Sequence, residues 1–198
     1  MEQTAEVAAI RKSVTVGRPV EEAFALCRDL PNVQIVQGNV LAPPFKPALF
    51  DVVWCSGVLH HTPDTAGTVV EAHRVLAPGG RMVLVTDSQD TLTRRSLTAF
   101  FPELLPIELA RYPAIPVLHD EAARAGLQLL TQEQVSGEIA LTDQFLARLA
   151  ARCSSAMRLI PPSDHAAGME RVRAAQDRGE TWLSCYEIIH YSRRGGVA

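Results

Sequence analysis

Two short apolar runs, Phe50–Cys55 (FDVVWC) and Arg81–Thr86 (RMVLVT), flank a helix-forming segment that ends at Pro78-Gly79-Gly80. This pattern constrains the chain more than any other feature in it. Each run is nearly continuous in β-branched, aromatic and other apolar residues rather than alternating, as in a strand buried on both faces of a parallel sheet. Pro63 and Asp64 open the intervening helix, which carries Val69, Val70, His73 and Leu76. Strand, helix and strand with short turns predict a βαβ unit, whose crossover is right-handed.

The flanking segments read less sharply. Residues 5–12 are helix-friendly, and a second helix starts after Pro19, carries Ala23, Phe24, Leu26, Cys27 and Leu30, and is closed by Pro31. Val33–Val36 reads as a short strand, and Leu41–Leu49 as a loop broken by Pro43, Pro44 and Pro47. Residues 88–116, with four prolines, read as a helical insertion or lid. His119–Ala125 reads as a helix ended by Gly126, and Leu127–Val135 as a strand. Leu141–Ile160 is amphipathic, with Leu141, Phe145, Leu149, Cys153 and Met157 on one stripe. A polar helix spans Asp164–Asp177, and Thr181–Tyr191 is an aromatic and β-branched closing strand.

Composition narrows the function classes. With 198 residues, 47 % of them apolar and 21 % charged, the chain has ordinary globular proportions for a single domain. A net charge of −3 with dispersed arginines points away from nucleic acid and anionic membranes. No apolar run approaches the roughly 20 residues of a membrane span. Cys27, Cys55, Cys153 and Cys185 are far apart, without a C-x-x-C pair. They fit free thiols in a reducing cytoplasm rather than a disulfide framework or a zinc site.

Three segments in order, Phe50-Asp51-Val52-Val53, Val58-Leu59-His60-His61 and Arg74-Val75-Leu76-Ala77-Pro78-Gly79-Gly80-Arg81, resemble the class I S-adenosylmethionine-dependent methyltransferases. The likeness is to the small-molecule branch that includes the ubiquinone and menaquinone methyltransferases, and it is good over residues 32–87. The resemblance implies an α/β, Rossmann-like, doubly wound, mostly parallel sheet whose last strand is antiparallel, with the cofactor across the carboxyl ends of the strands. It places Val33–Val36, Phe50–Cys55 and Arg81–Thr86 as the third, fourth and fifth strands, and Leu127–Val135 and Thr181–Tyr191 as the last two. The whole chain, 1–198, is then one methyltransferase-like domain. Residues 1–87 form a partial cofactor-binding half, 88–116 and 138–179 form helical lid insertions over a small-molecule acceptor, and 181–192 form the closing strand.

Site residues follow from the same resemblance. Gly38-Asn39-Val40 stands where the family has a Gly-Asp-Ala-like turn that receives the adenine amino group. Asn39 can still accept that bond, without charge assistance. Cys55, Ser56 and Gly57 follow the fourth strand, where the turn faces the methionine half of the cofactor. His60 borders the cofactor, and His61 is the candidate base. The competing expectation is that both histidines only orient the loop and the helix after it. Asp51 is expected to be structural. Phe100, Phe101, Tyr112, Phe145 and Met157 are candidates for an apolar acceptor pocket, although at such spacings core is commoner.

The family's glycine-rich turn and the acid before it have no counterpart in this sequence. The only adjacent glycines are Gly79-Gly80 and Gly195-Gly196, and Glu2 is the one candidate remnant of the acid that holds the ribose. The expectation is therefore an N-terminally truncated sheet whose fourth strand offers an open apolar edge. S-adenosylmethionine-dependent methyl transfer to a small organic molecule is the leading reading, impaired by the missing strands. The alternative is a non-catalytic remnant, or half of a split enzyme, that forms a homo- or hetero-oligomer through the open edge. A nucleotide-sugar or NAD-binding protein is disfavoured by the Leu-His-His and Ala-Pro-Gly-Gly turns, and the missing glycine turn removes the main handle for NAD.

Overall fold

Four strands form one sheet in the order β1-β2-β4-β3: β1 Phe50–Ser56, β2 Leu76–Thr86, β3 Leu127–Ala140 and β4 Thr181–Arg193. The computed structural model describes residues 25, 27–31, 33 and 35–195. β1 and β2 run parallel, and β4 is inserted antiparallel between β2 and β3. β3 is therefore parallel to β1 and β2, and the closing strand alone is reversed, as the sequence implied. Among the described residues β1 is an edge paired only with β2.

The helix after β1, α1 (Thr65–Val75), begins where Asp64 accepts a hydrogen bond from Gly67 N at 2.8 Å, a side-chain N-cap. Its last carbonyls are taken up by other segments. Ala48 N donates to Arg74 O, and Leu49 N donates to Val75 O. Arg193, from the end of β4, donates to His73 O and Leu76 O. The Arg74 guanidinium reaches back to Pro43 O and Phe45 O, pinning the proline-rich loop to the helix.

The Pro-Gly-Gly turn has a different job from the one expected. α1 is already over at Val75, and the turn forms an irregularity in β2, where pairing jumps from Phe50↔Leu76 to Val52↔Arg81. Gly79 has φ +79, and a Cβ on Gly80 would lie 2.8 Å from Ala77 O, so the crowded backbone requires glycine there.

Three further expectations are corrected. Val33, Ile35 and Val36 carry no strand: a strand needs a neighbour to complete its hydrogen bonds, and among the described residues the only strand beside β1 is β2. The Leu141–Ile160 stripe is not one helix. α6 below ends at Ala150, Arg152 turns left-handed at φ 52, and Cys153 is exposed. β3 runs on to Ala140, so the second helical insertion starts at Leu141 rather than at 138. The helix expected over 5–12 and the Glu2 remnant lie outside the described residues. Of the helix after Pro19, Ala25 and Cys27 are helical, and the chain turns at Arg28 and Asp29 before Pro31.

Residues 88–124 fold as four helices: α2 Gln89–Arg94, α3 Ser96–Phe100, α4 Leu104–Arg111 and α5 Ile115–Arg124. After β3 come α6 (Asp143–Ala150), a 3-10 turn at Ala156–Arg158 and α7 (Pro162–Asp177). Two apolar clusters result. Leu59, Leu76, Met82, Leu84, Leu118 and Ile189 fill one face of the sheet under α1 and α5. Phe101, Leu104, Leu149, Met157, Val172 and Trp182 form a separate core for the lid helices on the extended β3–β4 ribbon. Phe100 and Phe145 pack on Trp182, with ring centroids 5.8 and 5.0 Å away. Phe100, Phe101, Phe145 and Met157 are therefore core rather than pocket. No helix of the described residues is long and apolar enough to cross a membrane.

Candidate functional site

The carboxyl ends of β1 and β2 converge where the turn after β1 meets the lid. Cys55 is buried, and burial pushes its thiol up to about 11, so it is a packed thiol and not a nucleophile. Ser56 is exposed. Gly57 has φ +64, donates its N–H to Val85 O at 3.3 Å, and has no heavy atom within 4 Å of the place a Cβ would take. Its backbone is thus open to a ligand. A 3-10 turn at Leu59–His61 follows, anchored by the buried Leu59 and by Thr62 Oγ1 donating to Leu59 O at 2.9 Å.

Asn39 lies in a tight turn. Its Oδ1 accepts from Leu41 N at 2.9 Å, and Ala42 N donates to Asn39 O. The tertiary structure carries this turn against the His61 turn. Gly38, Asn39, Val40, Leu41, His61 and Thr62 line a single cleft of about 200 Å³. Asn39 and His61, 22 positions apart and named separately from the sequence, thus share a cavity. Val40 faces a second, apolar groove as well, which runs along β1. Cys55, Ser56, Gly57 and His60 are not part of the Asn39 cleft; they lie on the turn that leads to it.

His60 and His61 point to different partners. The His60 ring stacks on Tyr112 with centroids 4.0 Å apart, and its Nε2 is 3.3 Å from the Tyr112 hydroxyl. Its pKa falls to about 3, first from burial and then from His61, Arg111 and Arg95, so it is neutral in the fold. His61 is exposed, and its Nδ1 receives Arg111 Nη2 at 2.7 Å. Burial and then Arg111 lower its pKa also. The same Arg111 nitrogen donates to Ser155 Oγ at 3.1 Å.

Behind the histidines lies a buried polar cluster that sequence reasoning missed. Arg95 donates to Asp87 Oδ2 at 3.0 Å and lies 3.6 Å from Glu108 Oε1. Thr91 Oγ1 is 3.3 Å from Asp87 Oδ1, and the Tyr112 hydroxyl hydrogen-bonds the Asp87 carboxylate. Burial raises the pKa of both acids, partly offset by Arg95, and raises Tyr112 as well. Arg95 Nε, Glu108 Oε2 and Arg111 Nη1 are buried without a hydrogen-bond partner. A signal was present. Glu108, Arg111 and Tyr112 follow the fully buried Leu104 at helical spacing, which puts charges on a core-facing stripe of α4. Among the described residues no group of three or more His, Cys, Asp and Glu side chains is placed to hold a metal ion.

Comparison with known proteins agrees with this geometry. Residues 3–84 match the methyltransferase domain family. Demethylmenaquinone methyltransferase of Lactococcus lactis subsp. lactis (strain IL1403) is 38 % identical over 77 residues, which is 38 % of this chain and 31 % of that protein. The aligned stretch thus spans about a third of the length of the curated relatives it matches. Among solved structures, the YcgJ protein of Bacillus subtilis superposes with a TM-score of 0.54 at 19 % identity, over 88 % of this chain and 77 % of that one. The cyclase SpnF superposes with the same score at 19 % identity, over 89 % and 64 %. At such identities the likeness is one of fold. The chain carries the Rossmann-like α/β fold of the methyltransferase-type structures it superposes on, and its residues 3–84 match the methyltransferase domain family.

Proposed function

We propose that this chain supplies the adenine side of an S-adenosylmethionine site, and that the reaction is methyl transfer to a small organic molecule. The observation that carries the reading is the cleft that joins the Asn39 turn to the His61 turn beside the open backbone of Gly57. The donor set fits the cofactor's base: amide and imidazole groups in a concave site, without a competing charge on the cleft wall. When bound, S-adenosylmethionine supplies an electrophilic methyl on a sulfonium. Asn39, Val40 and His61 would hold the base, and Gly57 would let the chain approach the rest. Proximity and orientation then do most of the work of an in-line transfer. The residues named here would contact mainly one end of the cofactor, so weak binding by this chain alone is the expected outcome.

A titration of the ¹⁵N-labelled chain with S-adenosylhomocysteine tests this. Shifts at Asn39, Val40, Gly57 and His61, diminished in Asn39→Ala, support it. An absence of shifts there, or shifts confined to another face, overturns it.

One observation favours a second reading, a protein that works through a partner chain. β1 offers an open edge, with Val52 39 % and Trp54 52 % exposed. Such an edge invites strand addition. A monodisperse monomer across a concentration series in sedimentation would argue against it.

A further inference from the structure

The geometry points to Arg111 as a positioning residue that fixes His61 as a neutral hydrogen-bond donor toward the ligand of the Asn39 cleft. This inference rests on the cofactor reading above.

A guanidinium has only donors. With Arg111 Nη2 at 2.7 Å, His61 Nδ1 must accept, so its lone pair is already engaged. The ring then carries its proton on Nε2. An imidazolium would set N–H against N–H at that distance. Arg111 does not depend on His61 for its place, because Ser155 Oγ holds the same nitrogen at 3.1 Å. The groups around the pair come from several elements. His60 belongs to the same turn, Arg111 and Glu108 to α4, Arg95 to the α2–α3 junction, Asp87 to the end of β2, and Tyr112 follows α4.

The consequence is chemical. A base needs a free ring nitrogen, and His61 has none while Arg111 is in place; what it offers is an N–H. Across the cleft, Asn39 Oδ1 already accepts from Leu41 N, so the acceptor expected to receive an adenine amino group is partly used by the chain itself, while the amide N–H groups remain for a ligand. Both walls therefore present donors. That favours an N-heteroaromatic ring with unprotonated ring nitrogens, such as a purine, over a ligand edge rich in N–H groups. Arg111 belongs to the lid, so the lid sets the protonation state of a residue in the cofactor half.

Long-range ¹H–¹⁵N correlation of the imidazoles tests the lock in the intact chain. His61 is expected as the Nε2–H tautomer, with its protonation held below the ordinary imidazole range. Arg111→Lys, which keeps a cationic donor, and Ser155→Ala should preserve that state. Arg111→Leu should give mixed tautomers and move protonation upward, toward the ordinary value, with the part due to burial remaining. It should also weaken S-adenosylhomocysteine binding about three- to tenfold, the loss of one oriented hydrogen bond. A wild-type His61 with its proton on Nδ1, or protonating near 6.5, overturns the lock without any variant. Ligand shifts that reach Asn39 but leave His61 unmoved overturn the donor role. If the ligand moves neither residue, the cofactor reading fails and takes the ligand named here with it, whereas the tautomer is read independently.

Discussion

The rings of His60 and Tyr112 lie face to face, 4.0 Å between centroids and 21° between planes. Through this contact the turn after β1 rests on the helical segment 88–124, and it draws His60 into the buried cluster of Asp87, Arg95 and Glu108.

This burial makes the fold sensitive to acid. The pKa of His60 drops from 6.5 to about 3, so between those values the unfolded chain binds a proton that the folded chain refuses. Stability therefore falls as pH drops below 6.5, with His61 and His73 adding in the same direction. Asp87 and Glu108, raised by burial, act with the opposite sign above their usual 3.8 and 4.5. Urea denaturation in steps below pH 6.5 should show the loss, and His60→Phe, which can still stack on Tyr112, should flatten the slope. An unchanged slope in that variant sinks the assignment.

Arg95 is the cation that holds two buried carboxylates together, 3.0 Å from one and 3.6 Å from the other. Arg95→Met should cost about 3–5 kcal/mol at neutral pH, because it leaves both acids in an apolar setting without their counter-charge. Asp87→Asn with Glu108→Gln in the same chain should recover part of the loss. A cost well under 1 kcal/mol would mean that the pairs are solvated in solution.

Gly168 lets α7 close on Phe101. A Cβ there would lie 2.1 Å from Phe101 Cδ1. Gly168→Ala should destabilise by about 1–3 kcal/mol through overpacking, measured by thermal unfolding. The smaller side chain of Phe101→Leu should relieve the clash, so the double variant should lose less than the sum of the two single changes.

The exposed edge can be read directly by solution fluorescence. Trp182 is buried in the lid core and Trp54 is 52 % exposed. Emission should therefore have one quenchable component, absent in Trp54→Lys. A Trp54 that is quenched in dilute protein but resists quenching as the protein concentration rises would show a partner strand covering the edge.

Much of the fold was legible because it is written locally. The apolar runs gave β1 and β2, Asp64 the start of α1, Gly126 at φ +90 the end of α5, and the aromatic-rich tail β4. The relation to a methyltransferase was readable for the same reason, in three contiguous segments. Of the site, the Asn39 turn and the histidine pair were legible as separate motifs. Their meeting in one cleft was not.

By itself, then, the sequence determined the elements, their order and the family they resemble, since each depends on neighbours a few residues apart. Only the tertiary structure decided that Val33, Ile35 and Val36 are not strand, that Pro-Gly-Gly interrupts the register of β2, and that Arg111 reaches His61 across 50 positions. These outcomes depend on which partner remains for a backbone or a charge once the chain has folded. A hydrogen bond between distant segments leaves no periodicity to read.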